Sequence, residues 1–306
     1  MNRYNFIFPG QGSQSVGMSP CILSTEYSKS IFNETSELLG YDLLDICMNG
    51  PEGLLTKTKN TQPAIFALSI ILDKMLKESN IHPLCVGGHS LGEYSALVSS
   101  EVLDFKDALK LIVLRSSEME KANNVTNGSM AAVLNASIDD IESIISSTSG
   151  VLVVANYNTE KQIVISGEDD EILKSIDSLK SISPRIRCIK LNVSGAFHSP
   201  LMKFAREALS NAINSLNFND AKVPIYQNIN ARPFQNADDI KKNLILQLEN
   251  PVQWYNTILN MSDINNNFIE CGPGNILSGM NRRISRDIIS FEANSITSIE
   301  SICKIN

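Results

Sequence analysis

A handful of residues in this chain have the types and spacing for acyl chemistry. Ser90 lies in Gly88-His89-Ser90-Leu91-Gly92, a G-x-S-x-G pattern. A serine hydroxyl attacks a carbonyl carbon when a base takes its proton and N–H donors hold the developing oxyanion. The pattern carries that meaning only between a strand and a helix. The apolar run Pro83-Leu84-Cys85-Val86 suits a buried strand, and Glu93 to Val98 suits a helix. Glycines 88 and 92 let the chain turn sharply with no Cβ in the way. Such a turn thrusts Ser90 Oγ out of the sheet and puts the Leu91 N–H at a helix N-terminus. Read alone, the five letters equally describe an ordinary serine in a strand-to-helix turn.

A serine nucleophile needs a base, and the chain has three histidines. His82 precedes a proline in a turn. His89 precedes Ser90, where alternation points it to the opposite side from Oγ. His198, in Ala196-Phe197-His198-Ser199-Pro200, is left as the candidate base. As the base, its imidazole is expected to titrate near the ordinary value of about 6.5, with acylation rising through that pH. The competing reading is a histidine satisfied as a polar core group.

Arg115 is the third candidate. A helix is expected over about Phe105 to Ala122, with Asp104 as its N-cap. Ala108, Leu111, Ile112 and Met119 share a face with Arg115 by helical spacing, so the arginine projects from the apolar stripe. An interior guanidinium requires an anionic partner. That partner is a ligand or a protein carboxylate, unless the side chain snorkels at the stripe's edge.

The elements around these residues describe one ordinary globular chain. Its 306 residues suffice for a large domain with a smaller insert. The net charge of -7 argues against nucleic acid as a partner. No apolar run reaches the length of a membrane span. Residues 1–8 lead straight into a first strand and are not a signal or transit peptide. Six cysteines (21, 47, 85, 188, 271, 303) without C-x-x-C spacing read as reduced in a cytoplasmic protein.

Tyr4 to Phe8 is the first strand, followed by the loop Pro9-Gly10-Gln11-Gly12-Ser13-Gln14. A dinucleotide fingerprint would need a glycine where Ser15 stands. A P-loop would need a lysine where Met18 stands. Both are set aside, leaving a loop of backbone N–H groups at a strand's carboxyl end, where open α/β sheets bind ligands. Helices are expected over Glu26 to Leu39 and Pro63 to Lys77, the second with Pro63 near its first turn. Residues 123–128 form a polar break.

Beyond that break the pattern changes. Strands are expected at Ser129 to Leu134, Val151 to Ala155, Gln162 to Ser166 and Arg185 to Leu191. Helices follow Ser137 and cover Glu168 to Lys180. That β-α-β-β-α-β order is the ferredoxin-like unit, an insert of roughly 70 residues. The division expected is a discontinuous large domain, 1–124 with 194–306, around an insert, 125–193. Further on, Gln247 to Trp254 closes one helix and opens another, and Phe268-Ile269-Glu270 is a strand before the turn Gly272-Pro273-Gly274.

Taken together, these motifs resemble the malonyl-CoA:acyl carrier protein transacylase family of bacterial fatty acid synthesis. The likeness runs nearly end to end. It is carried by residues 8–14, by 88–94, by Arg115 at the family's spacing, and by Gly128-Ser129-Met130-Ala131-Ala132. Residues 196–202, Gln247 with Asn250-Pro251-Val252, and Glu270 with 272–274 complete it. The chain departs from the family at Glu101, Ser116, Thr159-Glu160 and Asn275.

The resemblance implies an α/β fold, a hydrolase-like parallel-sheet large domain with an inserted ferredoxin-like small domain. It implies Ser90 as nucleophile, His198 as base and Arg115 as the clamp for a malonyl carboxylate. It further implies an oxyanion hole from the Gln11 and Leu91 backbone N–H groups, with the Gln247 carbonyl orienting His198. Malonyl would pass from malonyl-CoA through a Ser90 acyl-enzyme to the phosphopantetheine thiol of acyl carrier protein, by a ping-pong mechanism. No metal or bound cofactor is implied, and the chain is taken as a monomer. Arg185, Arg187, Lys190, Arg282 and Arg283 are candidates for docking an acidic carrier. Three alternatives share some features: a freestanding malonyl acyltransferase of a polyketide synthase, a serine esterase or thioesterase, and a non-catalytic carrier-binding protein. The esterase would want an acidic residue between Ser90 and His198 and has no use for an interior Arg115. The binding protein needs neither Ser90 nor His198.

Overall fold

The computed structural model describes residues 3–18, 25–193 and 195–305. Met1, Asn2, Cys21 and Ser194 of the sequence reading lie outside the described residues.

Among the described residues ten strands form two sheets. In chain order they are β1 (Tyr4–Phe8), β2 (Pro83–Gly88), β3 (Gly128–Leu134), β4 (Leu152–Thr159), β5 (Gln162–Glu168), β6 (Arg187–Lys190), β7 (Ile225–Tyr226), β8 (Pro233–Phe234), β9 (Asn267–Cys271) and β10 (Ile289–Ala293). The first sheet has the order β10-β9-β1-β2-β7-β8. Its strands pair in parallel except for β8, which lies antiparallel to β7 at one edge. β1 is buried along its whole length, as expected of a strand covered by helices on both faces. The parallel sheet expected from the sequence is present, and β8 adds an antiparallel strand at its edge. Two-residue strands bounded by polar residues leave no alternation to read.

The second sheet has the order β4-β5-β3-β6, with every neighbouring pair antiparallel. Helices Ile138–Ser147 and Asp169–Ile182 complete a β-α-β-β-α-β succession. The alternation of its strands gives the sheet two apolar faces. Ala131, Val133, Ile163 and Ile165 pack into one cluster with Ile141, Ile172 and Leu179 from the two helices. Met130, Ala132, Ala155 and Val164 point the other way. They join Met119, Phe197, Met202 and Leu248 from the rest of the chain. Backbone bonds stitch the parts together: Val252 N–H donates to Ala155 O at 2.8 Å, and Tyr157 N–H to Val252 O at 3.0 Å.

Several local expectations shift. The helix Thr58–Glu78 starts five residues before Pro63, which stands inside it. A proline there removes the bond to the carbonyl of residue 59, and Tyr41 Oη lies 3.5 Å from that carbonyl. The helix Phe105–Thr126 runs through the polar stretch and ends at Asn127, a left-handed C-cap at φ 44°. Residues 156–159 belong to β4 and are not a loop, because the strand pairs with β5 across two register shifts. Glu101, one of the departures from the family, has φ 62°, the region that favours glycine.

Candidate active site

The turn after β2 delivers Ser90. Its φ of 51° puts a non-glycine residue in the left-handed region, at a cost of roughly 1–3 kcal/mol that the surroundings must offset. The two glycines work through close approach. A Cβ on Gly88 would stand 1.9 Å from the Gly92 carbonyl carbon, and one on Gly92 would stand 2.0 Å from Phe8 O. The helix Gly92–Ser99 starts immediately after the turn.

Ser90 Oγ lies 2.8 Å from His198 Nε2, across 108 residues of sequence. His198 Nδ1 lies 3.0 Å from Gln247 O and 3.1 Å from Asn250 O. Both are carbonyls, which only accept, so Nδ1 carries the proton and Nε2 offers its lone pair to the serine hydroxyl. Burial, together with the Arg115 cation and against the two carbonyls, pushes the imidazole pKa down to about 3. The ordinary value assumed from sequence is corrected accordingly: at neutral pH this histidine is uncharged and able to accept a proton.

Arg115 is buried. Nη1 donates to Gln62 Oε1 at 2.9 Å, while Nη2 donates to Ser90 Oγ at 3.0 Å and to Gln247 Oε1 at 3.3 Å. The buried Nε has no hydrogen-bond partner. Among the described residues no carboxylate lies within ion-pair distance of this guanidinium, so two sequence alternatives, snorkelling and direct carboxylate pairing, both fall away. Glu93 acts on it only at longer range, and the Tyr94 ring lies 5.6 Å from the guanidinium carbon. Burial pulls the Arg115 pKa down, yet arginine stays charged throughout the working range.

Gln247 does more than was read from sequence. Besides its carbonyl at His198, its Nε2 donates to Ser90 O at 2.9 Å and its Oε1 accepts from Arg115. Gln11 and Leu91 both line the same cavity of about 100 Å³ as Ser90, Arg115 and His198. Among the described residues neither of their backbone N–H groups has an acceptor. The Ser90 N–H is already taken, by Asn228 Oδ1 at 2.7 Å. His89 turns away to Asn158 Oδ1 at 2.8 Å and to the edge of Trp254.

Sequence reasoning missed Gln62, Asn228 and the Asn250 carbonyl. Gln62 carried a faint signal, a polar residue leading an apolar helical run. Asn228 carried none, and Asn250 was read only as part of a motif. The five basic residues proposed for docking are all exposed. Lys190 pairs with Asp169 and Arg282 with Glu292, while Arg283 donates to Gln162.

A half-buried serine on a buried histidine, two backbone N–H groups without acceptors and an interior arginine with no carboxylate partner make a site for acyl transfer. The chain belongs to the acyl transferase domain family, whose model matches residues 5–298; it is an acyltransferase. It is 39% identical to the malonyl CoA-acyl carrier protein transacylase of Staphylococcus aureus strain MW2, over 99% of this chain and 97% of that protein. It is 36% identical to the protein of the same name from Synechocystis sp. strain PCC 6803, over 92% and 94%. Among solved structures, an acyl carrier protein S-malonyltransferase from Vibrio cholerae superposes with TM-score 0.93 at 34% identity, covering 98% of this chain and all of that one. A malonyl-transacylase in complex with a type II polyketide synthase acyl carrier protein superposes with TM-score 0.95 at 32% identity, each chain fully covered. No helix among the described residues is long and apolar enough to cross a membrane.

Proposed function

We propose that this chain moves a malonyl group from malonyl-CoA to the phosphopantetheine thiol of an acyl carrier protein through a Ser90 ester. Arg115 is the observation that carries the substrate. An interior cation with no carboxylate beside it, 3.0 Å from the attacking oxygen, awaits an anion at a fixed distance from the reacting carbon. The free carboxylate of malonyl supplies that anion. A guanidinium with Nε unpartnered can take it through two parallel hydrogen bonds.

In the first half-reaction Ser90 Oγ attacks the thioester carbon and its proton passes to His198 Nε2. The N–H groups of Leu91 and Gln11 receive the oxyanion. The carbon–sulfur bond breaks and the coenzyme A thiolate leaves with the proton from His198. In the second half the carrier thiol gives its proton to His198 Nε2 and attacks the ester carbonyl; the carbon–Oγ bond breaks and Ser90 Oγ takes that proton back from His198. A carbonyl at Nδ1, where hydrolases have a carboxylate, leaves His198 a weak base. That suffices for a thiolate, which leaves readily because a thiol's pKa is near 8.5. The serine and histidine supply nucleophile and proton carrier between them, so the scheme calls on no metal or cofactor.

The same reading takes the mixed sheet as hydrolase-like and residues 125–193 as a ferredoxin-like insert between 1–124 and 194–306. Its support is the element order and the central position of β3 and β5. It also takes the cytoplasm as the site of action.

Intact-mass measurement after incubation with malonyl-CoA is the test. One malonyl adduct is expected on the wild-type chain and none on Ser90→Ala, which removes only a hydroxyl. An adduct on the alanine variant would move the nucleophile elsewhere.

A further inference from the structure

We infer that Asn228 and Glu93 are positioning residues that staple the serine turn into its reactive shape. The inference rests on the reading of Ser90 as nucleophile.

Asn228 follows β7, which lies beside β2 in the sheet. Its side chain reaches both sides of the turn. Oδ1 accepts from Ser90 N–H at 2.7 Å, and Nδ2 donates to Gly88 O at 2.6 Å. One amide therefore fixes the backbone immediately before and after His89. It also engages the Ser90 N–H, leaving Leu91 N–H as the next donor toward the oxyanion position.

The amide is itself held. Asn228 N–H donates to Glu93 Oε2 at 2.8 Å, and Asn228 O accepts from Gln253 N–H at 2.8 Å. Glu93 stands in the first turn of the helix that follows the serine. Its other oxygen accepts from Gln227 Nε2 at 3.1 Å, and Gln227 Oε1 accepts from Asn243 at 2.9 Å. Asn228, Gln227 and Glu93 are fully buried. A buried carboxylate is costly unless its oxygens are satisfied, and here two N–H groups satisfy it. Turn, helix and the segment after β7 are thus tied into one closed loop of hydrogen bonds. The strained φ of Ser90 needs such over-determination to persist.

The chemistry does not touch Asn228 or Glu93, so loss of the staple should misplace the attacking oxygen without removing the malonyl clamp. Arg115 keeps its contacts to Gln62 and Gln247. Asn228→Ala should therefore lower the saturating rate of single-turnover acylation by roughly 10²-fold, the scale of a misplacement of about 1 Å. The half-saturating malonyl-CoA concentration should change little, and the malonyl-to-acetyl preference should stay at the wild-type ratio. Glu93→Gln, nearly the same shape, should fall in the same direction by a smaller factor, and it serves if the alanine variant does not fold.

Wild-type acylation rates in folded Asn228→Ala or Glu93→Gln would overturn the staple, as would a lower rate accompanied by an equal loss of apparent affinity. Failure of the underlying reading looks different, because it would appear as an adduct on Ser90→Ala whatever these variants do.

Discussion

The two sheets bury different things. On the antiparallel side, the cluster between sheet and helices is built from Ala131, Val133, Ile163, Ile165, Ile172 and Leu179 and their apolar neighbours. On the parallel side, the chain buries Asp73, Glu93, Arg115, His198 and Glu270. No Asp, Glu, Lys, Arg or His among the described residues of 128–190 is buried. Buried charge is costly in both places. Of these groups Arg115 and His198 line the cavity with Ser90 and Glu93 braces the serine turn, while Asp73 pairs with Lys77 and Glu270 caps the helix Ile276–Ile284. At the cavity, fixed dipoles and charges face a reacting carbon. The antiparallel sheet contributes a wall, through Met130 and Asn156 at the cavity, and is held by its backbone ladders and apolar packing without a buried charge. Polar groups that must not move are anchored by other polar groups. Side chains that only exclude water need no such anchoring.

Removing His198 should break the contrast most sharply. His198→Ala is expected to slow acylation by about 10²–10⁴-fold, the range for general base catalysis, with the fold retained. In the wild type the rate should stay flat as pH falls through 6.5, because the imidazole is held near 3. A rate that halves near pH 6.5 would mean that burial and Arg115 do not act on this imidazole. Stability carries the matching sign. Between about 3 and the unfolded value of about 6.5 the unfolded chain binds the extra proton, so this group's contribution is full above 6.5 and declines as pH falls toward 3. Acid melts followed by circular dichroism, wild type beside His198→Ala, read it directly.

Arg115 comes next in size. Hydrogen bonds to charged groups contribute roughly 1.5–3 kcal/mol, so losing one such bond shifts preference by about one to two decades. Arg115→Ala should lose malonyl transfer by that factor relative to acetyl, and Arg115→Lys should recover little because an ammonium cannot copy the planar fork. An unchanged ratio of kcat/KM for the two thioesters, with a lower melting temperature, would assign Arg115 to structure alone.

The smallest effect on chemistry should come from the apolar side. Ile165 is buried between the antiparallel sheet and its helices. Ile165→Ala should cost about 2–5 kcal/mol of stability in urea unfolding, while the saturating acylation rate stays within about twofold, as expected for sites without shared partners. A large rate loss in the folded variant would show that the wall and the reacting edge are mechanically coupled.

What the sequence determined by itself is local. The strand, turn and helix around Ser90 follow from an apolar run, two glycines and helix-forming residues between Pro83 and Val98. The stripe that turns Arg115 inward follows from a period of 3.6 residues, and His198 follows from there being so few histidines to choose among. Tertiary structure alone decided the partners. Gln62, Asn228 and Gln247 reach Arg115 and Ser90 across 53, 138 and 157 positions. No periodicity encodes such separations, and an amide side chain looks the same in sequence whether it faces water or a buried arginine. The proton on His198 Nδ1 and the low pKa of that ring belong to the same class. Both arise from carbonyls, burial and a cation that only the folded chain brings within a few ångströms.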